Sequence, residues 1–256
     1  MKTSHGILIV VCALALGSCP AIAAPDSQSI YEQALASDSR LAGDAARDAG
    51  RKPAEVLAFL GITPGMTVLD MFSGGGYYSE ILSNVVGESG SVIAHSNTAY
   101  LQFVGEEFIN RYKGGRLPNV DILMAENNKL RLDANQLDAV FMGLAYHDTY
   151  WVNPDMGWHE IDRSKLNAEL CNSLKPGGVL GLTDHYAAAG SSTDSVTDMH
   201  RIDKAIVIAD MESAGFKLVD ESDMLRNPDD DHSQGVFTPE IRGKTDRFVL
   251  KFRKPK

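Results

Sequence analysis

Thr67–Leu82, TVLDMFSGGGYYSEIL, is the stretch whose reading decides the fold. Val68 and Leu69 carry strand propensity, Gly74, Gly75 and Gly76 allow a sharp turn, and from Tyr77 onward the apolar residues Tyr78, Ile81 and Leu82 have helical spacing. A strand, a glycine turn and a helix start are how α/β proteins build a nucleotide site. Glycines let backbone N–H groups approach the ligand, and the helix N-terminus offers unpaired donors. Asp70, at the strand's end, is an acceptor close to that turn. A glycine turn alone is weak evidence, so its meaning depends on the flanking chain.

Toward the C-terminus, strand and helix patterns alternate. Strands are expected at Ser91–Ala94, Val120–Met124, Ala139–Met142 and Val179–Thr183, with helices at Leu101–Tyr112, Ile161–Leu174 and Arg201–Ala214. Lys175-Pro176-Gly177-Gly178 reads as the turn that ends the second of these helices. Phe216–Asp220 and Arg247–Arg253 alternate as strands able to pair in a closing antiparallel hairpin. This order predicts a mostly parallel sheet covered on both faces. The polar, acidic loop 227–235 is expected to be the most mobile segment.

Toward the N-terminus, Pro53 suits a first helical turn, and Val56, Leu57, Phe59 and Leu60 give that helix a buried face before Gly61. Residues 24–52 read as an N-terminal extension, either a loosely packed amphipathic helix or a cover over a pocket. Residues 1–23 read as an export signal: Lys2 precedes an apolar run, Gly6–Leu16, too short to span a bilayer. Ala21-Ile22-Ala23 fits soluble release, whereas Leu16-Gly17-Ser18-Cys19 resembles a lipoprotein box that would place a lipid on Cys19. Either ending implies the periplasm or envelope of a bacterium. No other run has transmembrane length and apolarity.

The chain has 256 residues and a formal net charge of −10, from 34 acids and 24 bases. That balance argues against a nucleic-acid or anionic-membrane partner. Cys171 stands alone after residue 23, so no internal disulfide is expected, and its helical neighbours Leu166, Leu170 and Leu174 make it a buried structural thiol.

Val68-Leu69-Asp70 followed by Gly74-Gly75-Gly76 resembles the first motif of the class I S-adenosylmethionine-dependent methyltransferases. Leu137-Asp138-Ala139-Val140 resembles that family's fourth-strand entry, and Leu174-Lys175-Pro176-Gly177-Gly178-Val179-Leu180 its turn before strand five. With its leader and Arg51-Lys52-Pro53, the chain looks like an exported group of bacterial predicted methyltransferases. The resemblance implies a Rossmann-like seven-stranded sheet over residues 53–256, S-adenosylmethionine as cofactor and a small-molecule acceptor. It assigns the cofactor to Asp70, Ser73, Gly74, Gly75, Gly76, Ser96, Asn97, Glu126 and Asn127. Two positions depart from the family pattern. Phe72 stands where another glycine is usual, and His95, Ser96 and Asn97 replace an acid that would hold the ribose. Ser96 or Asn97 can still bond a hydroxyl, but more weakly than a carboxylate does.

His147 and Asp148, after the fourth strand, are the catalytic candidates, because a histidine there can take a proton from an acceptor. A pocket-shaping histidine is the competing reading, and Asp184-His185-Tyr186 raises the same choice. Trp151 and Trp158 read either as an aromatic wall or as core. His159, Glu160, Asp184 and His185 could gather with His147 and Asp148, but no HExxH helix or paired CxxC is present, so no metal is expected. No lysine follows the glycines as a P-loop requires, and no G-x-S-x-G turn marks a serine hydrolase. The second function considered is a ligand-binding protein without turnover, on the same fold.

Overall fold

The computed structural model describes residues 27–256, so the leader motifs and Cys19 lie outside the described residues. The elements are α1 (Ser27–Leu35), α2 (Ala45–Arg51), α3 (Pro53–Leu60), β1 (Thr67–Met71), α4 (Tyr77–Val86), β2 (Ser91–Ser96), α5 (Thr98–Val104), α6 (Glu106–Tyr112), β3 (Val120–Met124) and β4 (Leu137–Gly143). They continue with α7 (Arg163–Ser173), β5 (Leu174–His185), α8 (Asp194–Met199), α9 (Lys204–Ser213), β6 (Lys217–Ser222) and β7 (Arg247–Arg253).

Seven strands form one sheet in the order β3-β2-β1-β4-β5-β7-β6. β3 through β5 are parallel in this row, and β7 runs antiparallel between β5 and β6. The Rossmann-like fold and the closing antiparallel pair expected from the sequence are therefore present. Alternation along the strands sorts the core onto two faces. Leu69, Met71, Val140 and Met142 join the layer that includes α7 and α9 residues, while Val68, Ala139 and Phe141 join the layer with α1, α3 and α4 residues.

The build direction reverses between β1 and β4, which opens a crevice at the C-terminal strand ends. Because β7 is antiparallel, its first residue reaches the same edge: Arg247 is in register with His185, the last residue of β5.

Four local expectations change. The helix expected over 101–112 breaks into α5 and α6 at Gly105, whose φ of 44° and ψ of −111° are open to glycine but not helical. Lys175–Gly178 is not a turn but the bulged start of β5. Leu174 pairs with Leu137, and the Gly177 N–H donates to the Lys254 carbonyl at 3.0 Å, so the strand absorbs the glycines at a register shift. The loop 227–235 is anchored: Asp230 is buried, accepts both 2.9 Å contacts from Arg201 Nη2, and takes the Asp246 N–H at 2.7 Å. Cys171 is half-buried rather than buried.

Candidate active site

The glycine turn sits where β1 meets α4. Gly74 and Gly76 have φ of 57° and 78°, and Phe72 takes a φ of 57° that glycine would adopt without strain. The Phe72 ring offsets that strain by packing against His95, Tyr100 and Trp158, with centroids 5.6–6.2 Å away. A side chain on Gly75 would meet Glu107 at 2.3 Å, and one on Gly76 would meet the Tyr112 hydroxyl at 2.5 Å. The turn glycines thus admit α6 from above as well as freeing backbone donors.

Asp70 is buried, and its Oδ2 accepts from the Ser79 hydroxyl at 2.6 Å. Burial pushes its carboxyl up to about 7, although the Ser79 hydroxyl and the Arg51 charge pull it down. His95 ties the turn to the ends of β2 and β3: its Nδ1 accepts the Phe72 N–H at 3.4 Å and its Nε2 lies 3.0 Å from the Ala125 carbonyl. Burial lowers its pKa to about 4, so it is neutral and acts as a structural strut.

The expected cofactor residues divide into free and committed groups. Ser73 and Ser96 share a hydroxyl contact of 3.3 Å. Asn97 caps α5, its Oδ1 accepting the Tyr100 N–H at 2.7 Å. Glu126 Oε1 accepts from the Thr98 hydroxyl at 2.8 Å. The Asn127 Oδ1, by contrast, is buried with no hydrogen-bond partner among the described residues, as is the hydroxyl of Tyr112, a residue outside the expected set. Buried orphan groups are costly, and a polar ligand is one way to satisfy them. One lies beside the glycine turn and the other at the end of β3, the two places that would hold the ends of a nucleotide-like molecule. These residues fit S-adenosylmethionine. Ser73–Gly76 and Tyr112 would hold its amino-acid end, Ser96 its ribose, and Glu126 and Asn127 its base.

The catalytic candidates gather at the ends of β4 and β5. His147 Nδ1 donates to Asp184 Oδ1 at 2.7 Å, and the His147 backbone N–H donates to Asp184 Oδ2 at 2.8 Å. His147 Nε2 faces Asp148 Oδ1 at 3.2 Å, and His200 Nδ1 meets the same oxygen at 3.2 Å. Burial disfavours a charged His147, but Asp148 and Asp184 overcome it and hold the imidazole well above its ordinary pKa. Burial likewise opposes ionisation of Asp148, yet His147 and then His200 bring its carboxyl down to about 2. The three donor groups of His147, Asp148 and His200 all lie within 4.8 Å, close enough to share one ion; as they stand, a hydrogen bond joins His200 to Asp148 and a 3.2 Å ion-pair contact joins His147 to it.

Tyr100 connects the two halves. Its ring lies 3.1 Å from where a Gly74 Cβ would stand. Burial raises its pKa, with further contributions from the charges of Asp148, Asp184 and Asp70.

The structure brings together His147, Asp148, Asp184 and His185, as the sequence reading allowed. His159 resolves no link to them. Trp158 belongs to the core, its Nε1 donating to the Asp148 carbonyl at 3.0 Å, and Trp151 packs against Trp158 and His200. His200 joins His147 and Asp148 without a signal in the sequence. It follows α8 with a φ of 52°, and a lone histidine at a helix end has no periodic signal.

Comparisons with known proteins agree with this fold. Residues 29–149 match the family model described as protein-L-isoaspartate(D-aspartate) O-methyltransferase. No curated protein matches the sequence. The structure resembles a SAM-dependent methyltransferase from Aquifex aeolicus, at 25% identity and a TM-score of 0.55, covering 79% of this chain and 89% of that one. It also resembles an S-adenosylmethionine-dependent methyltransferase from Mesorhizobium loti (14% identity, TM-score 0.50, 78% and 95% covered). A third similar structure is the [4+2]-cyclase SpnF (18% identity, TM-score 0.56, 91% and 98% covered).

Proposed function

We propose that this chain, which belongs by fold to the class I S-adenosylmethionine-dependent methyltransferases, transfers a methyl group to a small acceptor in the bacterial envelope. The observation that carries the catalytic part is the Asp184–His147–Asp148 chain, set at the ends of β4 and β5 beside the glycine turn.

S-adenosylmethionine, when bound, supplies a methyl group activated by a sulfonium. The chain's own residues then handle the acceptor. Asp184 fixes the His147 ring through both its backbone N–H and Nδ1, so that Nε2, which faces Asp148 Oδ1 at 3.2 Å, is the atom that exchanges a proton. Neutral His147 takes the acceptor's proton on Nε2, and the resulting imidazolium is stabilised between two carboxylates. Trp158, Tyr100 and Phe72 keep water from that side, since all three are buried or packed in the core.

Calorimetric titration with S-adenosylmethionine and S-adenosylhomocysteine, with NAD as control, tests the reading. Saturable binding of the sulfur nucleotides alone is expected, weakened at least tenfold by Asp70→Ala. Absence of any binding would overturn it.

A second reading has an observation of its own. Phe72 fills a glycine position, and Asn97 is committed to capping α5. A ligand-binding protein without turnover would carry such changes, and fold by itself does not establish a reaction. Methylated product from a broad acceptor panel would dismiss this alternative.

A further inference from the structure

We infer that the cavity beside the ends of β5 and β7 receives the methyl acceptor, and that the acceptor is an organic anion gripped by Arg51 and Arg247. The word acceptor rests on the methyl-transfer reading; the anion site does not.

The cavity measures about 940 Å³, and its lining includes seven basic side chains against a single acid, Glu107. This concentration of positive charge occurs in a chain of net charge −10. Arg47 is neutralised by Glu107 and Arg226 by Asp246. Arg51 and Arg247 have no carboxylate within salt-bridge distance among the described residues.

The other buried arginines provide the contrast. Arg111 is fully buried against Asp44 and Glu80, and Arg201 against Asp230. Arg247 is only 3% exposed, yet its bonds go to neutral oxygens: Thr245 Oγ1 at 2.9 Å and the Gly50 carbonyl at 2.7 Å. Burial pushes its pKa down to about 10, and the neighbouring Arg51 charge pushes the same way. A buried, unneutralised guanidinium beside a second one is costly, and an anion bridging them recovers that cost. The planar fork of arginine matches a carboxylate or phosphate. Arg51 is held with its guanidinium 5.0 Å from the Tyr77 ring centre, which orients it without using its donors.

The cavity runs along the crevice from the glycine turn, where Glu107 lies over Gly75 and Arg51 over the Tyr77 ring, to the ends of β5 and β7. In the sheet, β4 and β5 stand between β1 and the strand that carries Arg247. His185 lines the cavity, and its ring centre is 5.8 Å from that of His147. Leu144, Met224, Val236 and Phe237 supply an apolar wall, suited to an acceptor whose body is apolar.

The test measures binding of benzoate to the full chain, with benzamide as its neutral counterpart, inorganic phosphate as competitor, and S-adenosylhomocysteine as the cofactor probe. Benzoate is expected to bind at least tenfold more tightly than benzamide and to be displaced by phosphate. Arg51→Gln is expected to weaken benzoate at least tenfold and S-adenosylhomocysteine less than twofold. If Arg51→Gln melts early, Arg51→Lys is read instead, with an intermediate loss of benzoate. The inference falls if neither anion binds, if benzamide binds as well as benzoate, or if the variants leave benzoate unchanged. It falls equally if they weaken S-adenosylhomocysteine as much, which would assign Arg51 to the cofactor's carboxylate. Benzoate behaving as expected with no S-adenosylhomocysteine binding would keep the anion site and remove the methyl-transfer reading.

Discussion

His147 concentrates the chemistry in one side chain. Its two carboxylate neighbours raise its pKa, so the neutral form that accepts a proton becomes populated only above the ordinary histidine range. Turnover should therefore rise with pH through an alkaline titration. Asp184→Asn removes one of the charges that support it, and the limb in a kcat–pH profile should move to lower pH. His147→Gln should cost about 10²–10⁴-fold in kcat, the usual contribution of a positioned base, with little change in S-adenosylhomocysteine affinity. Chelators should leave the rate unchanged. Loss on chelation and recovery with a divalent ion would reassign His147, Asp148 and His200 to a metal. Phe72 poses a contest of magnitudes. A left-handed residue costs about 1–2 kcal/mol, whereas deleting a buried phenyl ring costs about 3–5 kcal/mol. Packing wins, so Phe72→Gly should lower stability by about 2 kcal/mol in urea titration.

At the scale of elements, α2 and α6 are held to the glycine turn by Arg111. Its Nε donates to the Gly75 carbonyl at 2.9 Å while its other nitrogens pair with Asp44, the residue before α2, and Glu80 of α4. This triple contact makes the N-terminal extension part of the site and places Arg51, the last residue of α2, over the crevice. Further back in the chain, α1 packs on α3 and α4. Arg111→Met leaves the buried carboxylates of Asp44 and Glu80 with only Arg47 at 3.6 Å and Arg116 at 2.8 Å as cations, and should destabilise the protein by about 3 kcal/mol, measured by chemical denaturation.

For the whole molecule, the buried groups Asp70, His95, His147, Asp148 and His185 govern stability against pH. Asp70, raised to about 7, binds its proton more tightly folded than unfolded, so its contribution is full below about pH 4 and declines up to about pH 7. His147, also raised, contributes below the ordinary histidine pKa and loses that contribution as pH rises through its folded value. Asp148, lowered to about 2, contributes above the ordinary aspartate pKa and loses it as pH falls toward 2. His95 and His185, both lowered by burial, contribute above the ordinary histidine pKa and lose that contribution as pH falls below about 6.5, so they oppose Asp70. Asp70→Asn should therefore make stability rise more steeply with pH between about 4 and 7 in thermal melts. Location is a second property of the whole chain. Fractionation of cells should find the protein in the envelope; a cytoplasmic location would refute the export proposal.

The sequence by itself determined the α/β class, the β1–glycine–α4 unit, the closing antiparallel pair and the candidates Asp70, His147 and Asp148. These rest on periodicities and turn chemistry written into consecutive residues. The same local logic misled at Gly105, where helical apolar spacing continues across a break, and at Lys175–Gly178, where turn residues enter a bulged strand. Only the tertiary structure decided which charged groups meet. His200 reaches Asp148 across 52 residues, and the Arg247 guanidinium reaches the Gly50 carbonyl across 197. Such pairs leave no periodic trace, because their neighbourhood is set by strand order and by β7 running antiparallel to bring Arg247 beside His185.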